Sequence, residues 1–153
     1  MKYTIENSPV EKNKWLIKHC FDGDAELVEK FHVAAGSGLD SCVENTFTTL
    51  LYGTVGYEFY ILKADGEAIG YFGKEVLEDK IYLTSFAITY EYRNDKSRKA
   101  LWKFICQVLG KTFYCGLYLR NSRAIKFIEN NGGVLQDSGE EAGEVFMTYL
   151  IKK

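Results

Sequence analysis

Four cationic side chains lie close together in a short polar stretch of the chain: Arg93, Lys96, Arg98 and Lys99. The stretch follows a run typical of a strand and precedes a run typical of an amphipathic helix. Free backbone N–H groups at a helix N-terminus form a site for phosphate or another anion. Cations are unfavourable in the first turn of a helix, so this cluster indicates that an anion binds nearby. A plain solvated helix start is the alternative interpretation.

A second strand-to-helix turn follows, where Asn121-Ser122-Arg123-Ala124-Ile125-Lys126-Phe127 opens another helix. If the two preceding strands are neighbours in a sheet, one ligand can contact both helix N-termini. The two turns therefore predict a long ligand that carries phosphate groups. Asn121 is also explained as an ordinary helix cap, which needs no ligand.

The 153-residue chain has an ordinary globular composition, with 46% hydrophobic and 26% charged residues. Its length fits one domain over residues 1–153. The net charge of −2 gives no support to a nucleic-acid partner. No apolar run reaches the length of a membrane span, and the first residues lack the core of a signal peptide. We therefore expect a cytoplasmic protein that binds neither nucleic acid nor membranes.

The cysteines are scattered and show no metal-ligand spacing, so we expect no metal site. Small buried side chains in a reducing compartment are their expected role. A catalytic thiol needs a nearby base, but the two histidines, His19 and His32, lie in helical patterns of the first third of the chain. The four cysteines are Cys20, Cys42, Cys106 and Cys115.

A short strand and three helices are predicted in the first third of the chain. Ser8-Pro9-Val10-Glu11 has the pattern of a capping box with proline at the first helical position. Asp24 is a second helix cap, and Gly36-Ser37-Gly38 is a flexible turn. The predicted elements are a strand at 2–7, a helix from Ser8 to about Cys20, a helix from Asp24 to Ala35, and a helix from Asp40 or Ser41.

Strands then dominate, and the chain ends in alternating strands and helices. The Asp65-Gly66 pair indicates a hairpin turn between the first two of these strands. The strand at 112–119 follows a helical crossover, so it can lie parallel to the strand at 81–89. The predicted elements are strands at 57–63, 68–77 and 81–89, a helix at 97–109, a strand at 112–119, a helix at 122–131, and strands at about 133–136 and 144–151.

An acidic segment, residues 137–144, is predicted to be the loop that joins the last two strands. Its carboxylates belong to Asp137, Glu140, Glu141 and Glu144. Such a run attracts a protonated amine, but it is more often a solvated acidic hairpin loop.

The order of elements and the two turns resemble the GNAT superfamily of acyl-CoA N-acyltransferases. The resemblance covers about residues 57–151, and the first third only in outline. The family pattern Asn, two residues, Ala-Ile, one residue, Phe-Tyr is matched from Asn121 to Phe127, with Gly132 following. The family turn Arg-Gly-x-Gly-x-Gly-x-Ala-Leu-Leu is matched in length, with Arg93, Ala100 and Leu101 at the expected positions.

This resemblance implies an α/β domain in which helices flank a central twisted mixed sheet of about seven strands. It also implies an acetyltransferase that moves acetyl from acetyl-CoA to the amine of a small molecule or protein by direct attack. The oligomeric state stays open, a homodimer included. The residues implied to bind acetyl-CoA are Arg93, Lys96, Ser97, Arg98 and Lys99 at the pyrophosphate, a backbone N–H near Ile88 or Thr89 at the thioester oxygen, and Asn121 and Phe127 at the pantetheine.

The sequence departs from the family pattern at positions that matter for binding. Asn94, Lys96 and Arg98 stand where the family has glycines, which let backbone amides approach the pyrophosphate. The cationic side chains of the turn can replace those contacts by charge-assisted hydrogen bonds.

Two further departures concern proton transfer. Ile128 stands where many relatives carry a tyrosine that protonates the departing thiolate, and the strand at 81–89 has no glutamate. A GNAT-fold protein without catalysis, used for binding or as a structural part, is therefore the alternative function. A transferase of amino-acyl or longer acyl groups is a third reading. The remaining candidates for proton transfer are Ser85, Tyr90, Tyr92 and Tyr118.

Overall fold

Seven strands form one mixed sheet in the computed structural model, which describes residues 1–30, 38–51, 58–141 and 143–152. The sheet order is β1-β2-β3-β4-β5-β7-β6, with β4 and β5 parallel and all other neighbours antiparallel. This confirms the predicted fold class. The strands are β1 (Tyr3–Asn7), β2 (Glu58–Ala64), β3 (Glu67–Leu77), β4 (Lys80–Ile88), β5 (Thr112–Tyr118), β6 (Val134–Glu141) and β7 (Glu144–Lys152).

Helices cover both faces of the sheet. Helices α1 and α3 pack against one face, and α4 and α5 pack against the other. A short 3-10 helix, Val10–Lys12, precedes α1, and another, Tyr90–Tyr92, precedes α4. The α-helices are α1 (Lys14–Phe21), α2 (Ala25–Lys30), α3 (Leu39–Leu51), α4 (Asp95–Leu109) and α5 (Ser122–Asn130).

The central strands are apolar on both sides because each side has its own core. Successive side chains of a strand point to opposite faces. In β2, Ile61 therefore packs with α1 and α3, while Leu62 packs with α4. In β3, Tyr71 and Phe72 divide in the same way. The two cores hold β4 firmly between a helical layer on each face.

A bulge in β4 precedes a gap in the sheet. Phe72 of β3 pairs with Phe86, but Lys74 pairs with Leu83, so β4 holds one extra residue at this point. The parallel ladder between β4 and β5 consists of only Tyr82 with Tyr114 and Leu83 with Cys115. Beyond the bulge, β4 pairs with β3, and β5 pairs with β7. A gap between the C-terminal ends of β4 and β5 is the result.

The predicted start of the first helix is wrong. Pro9 is extended, with ψ of 135°, and α1 begins only at Lys14. The Asn13 side-chain amide donates to the Ser8 hydroxyl at 2.9 Å and to the Pro9 carbonyl at 2.6 Å. Asn13 therefore binds the Ser8 hydroxyl that the expected capping box would have used. The predicted helix end at Ala35, most of the Gly36-Ser37-Gly38 turn and Tyr57 lie outside the described residues.

The prediction that residues 137–144 form a loop is also wrong. Strand β6 continues to Glu141, and Glu140 pairs with Val145 of β7. Because β6 lies at the edge of the sheet and is exposed from Val134 to Glu140, it has no buried face to produce an alternating pattern. Helix α4 begins at Asp95, two residues before the predicted start at Ser97, because Asn94 is its cap.

Candidate functional site

The gap between β4 and β5 exposes one side of the last residue of β4. The Thr89 backbone N–H donates to the Ile69 carbonyl of β3 at 2.7 Å. Adjacent residues of a strand direct their N–H groups to opposite sides, so the Ile88 N–H points away from β3 and toward the gap. Of the two predicted donors for a thioester oxygen, Ile88 is therefore the one with a suitable direction.

Close contact between β3 and β4 fixes this end of the strand. A Cβ atom at Gly70 would lie 2.6 Å from the Ala87 carbonyl oxygen and 3.3 Å from the Ile88 Cα. Glycine is needed here for the backbones to approach. The hydroxyl of Thr89 is buried and has no hydrogen-bond partner among the described residues. Such a group is one that a ligand or water can satisfy.

The N-terminus of α4 is partly occupied by groups of the protein itself. The Asn94 side chain accepts a hydrogen bond from the Ser97 N–H at 2.9 Å. Ser97 is completely buried, and its hydroxyl lies 3.1 Å from the Tyr3 hydroxyl. Ser97, which was predicted to contact pyrophosphate, therefore links the helix to β1.

The cations of this turn have different environments. Arg98 forms an ion pair of 3.2 Å with Asp95 and donates to the Arg93 carbonyl at 3.3 Å. Lys96 and Lys99 are exposed and form no ion pair with the described residues. These two lysines are the cations best able to meet a phosphate group from solution.

Arg93 is held by protein groups on several sides. Its Nε donates to the Ile88 carbonyl at 2.9 Å, and its Nη2 donates to the Cys20 carbonyl at 2.9 Å. Its Nη1 donates to the carboxylate of Asp24. The side chain is 19% exposed, and the guanidinium carbon lies 5.5 Å from the centre of the Tyr90 ring. Arg93 therefore joins the end of β4 to the turn between α1 and α2.

Asp24 is the functional candidate that the sequence interpretation missed. Its side chain is 3% exposed and accepts hydrogen bonds from Arg93 and Arg123, the latter at 3.0 and 2.9 Å. Burial by itself would raise the pKa of Asp24, but the hydrogen bonds from the two arginines outweigh it and lower that pKa. Its predicted role as a helix cap is confirmed, since it also accepts from the Leu27 N–H at 3.1 Å.

The start of α5 lies at the other side of the gap. Asn121 caps the helix by accepting from the Ala124 N–H at 3.4 Å. Phe127 packs its ring 5.4 Å from that of Phe86 and 5.7 Å from that of Trp102. Phe86 belongs to the part of β4 that lies beyond the ladder with β5. Phe127 therefore lies beside the gap as well as in the core.

The candidates for proton transfer are dispersed. The Ser85 hydroxyl lies 3.2 Å from the Tyr71 hydroxyl, and Tyr90 is 56% exposed. Tyr92 donates to Glu67 at 2.7 Å, and this hydrogen bond is the main cause of a raised Tyr92 pKa.

Tyr118 is the candidate on the strand that borders the gap. It ends β5 and packs edge-on against Phe146, with 5.2 Å between the ring centres. Ile128, at the position of the family tyrosine, is completely buried in the core. Of the four candidates, Tyr118 therefore has the most suitable position in the sheet.

The buried thiols of Cys20 and Cys115 are poorly suited to act as nucleophiles. Burial raises the pKa of Cys20 and of Cys115 to about 12, so both stay protonated near neutral pH. Within the described ranges, no group of three or more His, Cys, Asp or Glu side chains is arranged to hold a metal ion. No helix within those ranges is long and apolar enough to cross a membrane.

Known proteins resemble this chain in structure and not in sequence. The sequence matches no family model and no curated protein. The PaiA N-acetyltransferase from Thermoplasma acidophilum, solved with coenzyme A, has a TM-score of 0.73 at 19% identity, covering 100% of this chain and 99% of that one.

Two other solved structures match in the same way. A GNAT-family acetyltransferase from Bacillus cereus has a TM-score of 0.65 at 13% identity, covering 100% and 99% of the two chains. The ribosomal-protein-S18-alanine N-acetyltransferase from Escherichia coli has a TM-score of 0.61 at 15% identity, covering 98% and 93%. The chain therefore has the fold of the GNAT acetyltransferases.

Proposed function

We propose that this protein is an N-acetyltransferase that moves acetyl from acetyl-CoA to an amine. The observation that carries the proposal is the gap between β4 and β5, into which the Ile88 N–H is directed. An extended pantetheine arm fits such an opening. Its amide groups can form hydrogen bonds with the backbone N–H and C=O groups that β4 and β5 do not offer to each other beyond their short ladder. The fold shared with the acetyltransferases supports the same function.

The residues around the gap divide the work of binding. Lys96 and Lys99 attract the phosphates, while Asn121 and Phe127 contact the pantetheine. The Ile88 N–H donates to the thioester carbonyl oxygen, which gains negative charge during the reaction. Arg93 and Ser97 support these contacts from within the fold, and Arg98 contributes positive charge at the rim.

The reaction is a direct attack. The neutral amine nitrogen attacks the thioester carbonyl carbon, the new N–C bond forms, and the C–S bond breaks with the electron pair leaving on sulfur. The thiolate takes a proton from Tyr118, the new amide nitrogen loses its extra proton to water, and the Tyr118 phenolate then regains a proton from water. Positioning of the amine and thioester carries much of the rate in this scheme, since no carboxylate lies on β4.

Calorimetric titration with acetyl-CoA tests the proposal, with CoA and ADP as comparison ligands. Saturable binding with a micromolar Kd is expected, followed by release of free thiol when amines are added. Saturable acetyl-CoA binding without thiol release for any amine would remove the catalytic part of the proposal. No binding at millimolar acetyl-CoA would contradict it altogether.

A binding protein of GNAT fold without catalysis is the second candidate. It is favoured by the internal contacts of Arg93 and Arg98 and by the buried Ile128 at the position of the usual tyrosine. In that case CoA has no effect on the protein, and the cationic turn binds a macromolecular partner.

A further inference from the structure

Asp24 joins two elements that lie on opposite faces of the sheet. It follows α1, which packs on one face, while Arg123 belongs to α5 on the other. Helices on opposite faces can touch only where the sheet ends or opens. The Arg123–Asp24 contact of 2.9 Å therefore lies at the C-terminal ends of β4 and β5, beyond their last ladder pair, Leu83 with Cys115.

The same carboxylate also holds the end of β4. Arg93 binds Asp24 through Nη1 and the Ile88 carbonyl through Nε. A chain of contacts thus runs from Ile88 through Arg93 and Asp24 to Arg123, two residues after Asn121. We call the side chains of Arg93, Asp24 and Arg123 the Asp24 bridge.

Charge balance alone does not require both arginines. One guanidinium neutralises one buried carboxylate, and Arg93 already does so with a side chain that is 19% exposed. Arg123 is 50% exposed and needs no partner to stay hydrated. What the second arginine adds is a fixed distance between the end of β4 and the start of α5.

We propose that Asp24 is a positioning residue that sets the opening between β4 and β5 by holding Arg93 and Arg123 together. The predicted effect on acetyl-CoA binding rests on the proposed function. The bridge fixes the distance between Ile88 and Asn121, which are two of the residues proposed to contact acetyl-CoA. Asp24 itself does not touch the cofactor. Its carboxylate acts on binding only through the two arginines.

The sign of the effect separates this role from direct phosphate binding by Arg123. If Asp24 positions the site, both Asp24→Asn and Arg123→Gln weaken CoA binding by about tenfold, because Ile88 and Asn121 are no longer held at a fixed spacing. If Arg123 binds phosphate directly, Asp24→Asn removes a competing anion and strengthens binding. A stronger affinity in Asp24→Asn would therefore overturn the proposal.

Two control variants test whether a loss of stability or a change in net charge would by itself weaken CoA binding. Val43→Ala removes buried side-chain volume from the core of α1 and α3 without touching the bridge, so it lowers stability by a different route from Asp24→Asn. Lys126→Gln removes an exposed charge from the same helix as Arg123. Both controls are expected to keep the wild-type CoA affinity. If Val43→Ala weakens binding as much as Asp24→Asn does, the bridge has only a structural role.

Hydrogen exchange provides a readout that needs no cofactor. In Asp24→Asn and Arg123→Gln, the amides of Ala124 and Ile125 and those at the end of β4 are expected to exchange faster than in either control. Unchanged exchange in both variants would overturn the proposal. If the wild-type protein does not bind CoA but these amides exchange faster in the two variants, the proposed function fails and the positioning role stands.

Discussion

The Nε of Arg93 donates a hydrogen bond of 2.9 Å to the carbonyl oxygen of Ile88, the last residue of β4. The cation that follows the strand therefore folds back onto it, and its other nitrogens reach Asp24 and the Cys20 carbonyl. A guanidinium with three such contacts is first of all a part of the fold.

Substitution of Arg93 by alanine is expected to lower the free energy of unfolding by about 1–3 kcal/mol, because the Ile88 and Cys20 carbonyls lose their donor while Arg123 still pairs with Asp24. Urea denaturation measures this change. The control is Arg98→Ala, which removes an exposed pair with Asp95 and should cost no more than about 0.5 kcal/mol. Unchanged stability in Arg93→Ala, together with weaker CoA binding, would make Arg93 a phosphate ligand instead.

Joint substitution of Lys96 and Lys99 by alanine is expected to weaken acetyl-CoA binding about tenfold, since two cations near the phosphates are lost. The stability of the protein should hardly change, because both side chains are exposed. Calorimetry at two salt concentrations measures the affinity and its ionic part. Joint substitution of Lys103 and Lys111 by alanine, at two exposed positions farther along the chain, removes the same charge and is the control; an equal loss there would indicate a general charge effect.

Acid is expected to destabilise the protein through Asp24. Its pKa is lowered in the folded protein, so its contribution is fully present above the unfolded value of about 3.9. That contribution is lost as the pH falls below this value and through the lower folded pKa. Unfolding by urea between neutral and acidic pH should show a smaller acid dependence in Asp24→Asn than in wild type. A variant that follows the wild-type curve would contradict this account; Asp137→Asn, which removes an exposed carboxylate of β6, serves as the comparison.

Alanine at Gly116 is expected to destabilise the protein by about 1–3 kcal/mol through overpacking. A Cβ atom there would lie 2.3 and 2.8 Å from ring atoms of Phe146. Thermal or urea unfolding measures the loss, and Phe146→Leu in the same chain should recover much of it. At Gly139, on the exposed strand β6, nothing lies within 4 Å of an added Cβ, so Gly139→Ala should be neutral or slightly stabilising. Equal effects at the two glycines would exclude the ring contact as the cause.

Local signals explain why most strands and helices could be predicted. The Asp65-Gly66 turn is visible in the sequence because both residues take positive φ, of 49° and 85°. Strand β6 was predicted too short because an edge strand exposed on both faces shows no alternation. Likewise, the bulge in β4 depends on its pairing with β3, which the residues of β4 alone do not encode.

The candidate site was predictable only where a single segment carries it. The cationic turn and the cap at Asn121 are local patterns, and the structure places them at the ends of β4 and β5. The Asp24–Arg123 contact joins residues that are 99 positions apart. Asp24 showed only its cap pattern in the sequence, and Arg123 was only one residue of the segment that opens α5. No spacing rule connects two such residues before the chain folds.

Strand β6 forms one edge of the sheet, and no other strand of the described residues pairs with its outer side. Val134 and Leu135 are 60% and 47% exposed there, which gives this edge an apolar surface beside open hydrogen-bonding groups. Asp137 and Glu140 are exposed farther along the same strand. Like charges resist the antiparallel joining of two such edges from different molecules. These carboxylates are therefore expected to oppose edge-to-edge association through β6, most strongly at low ionic strength.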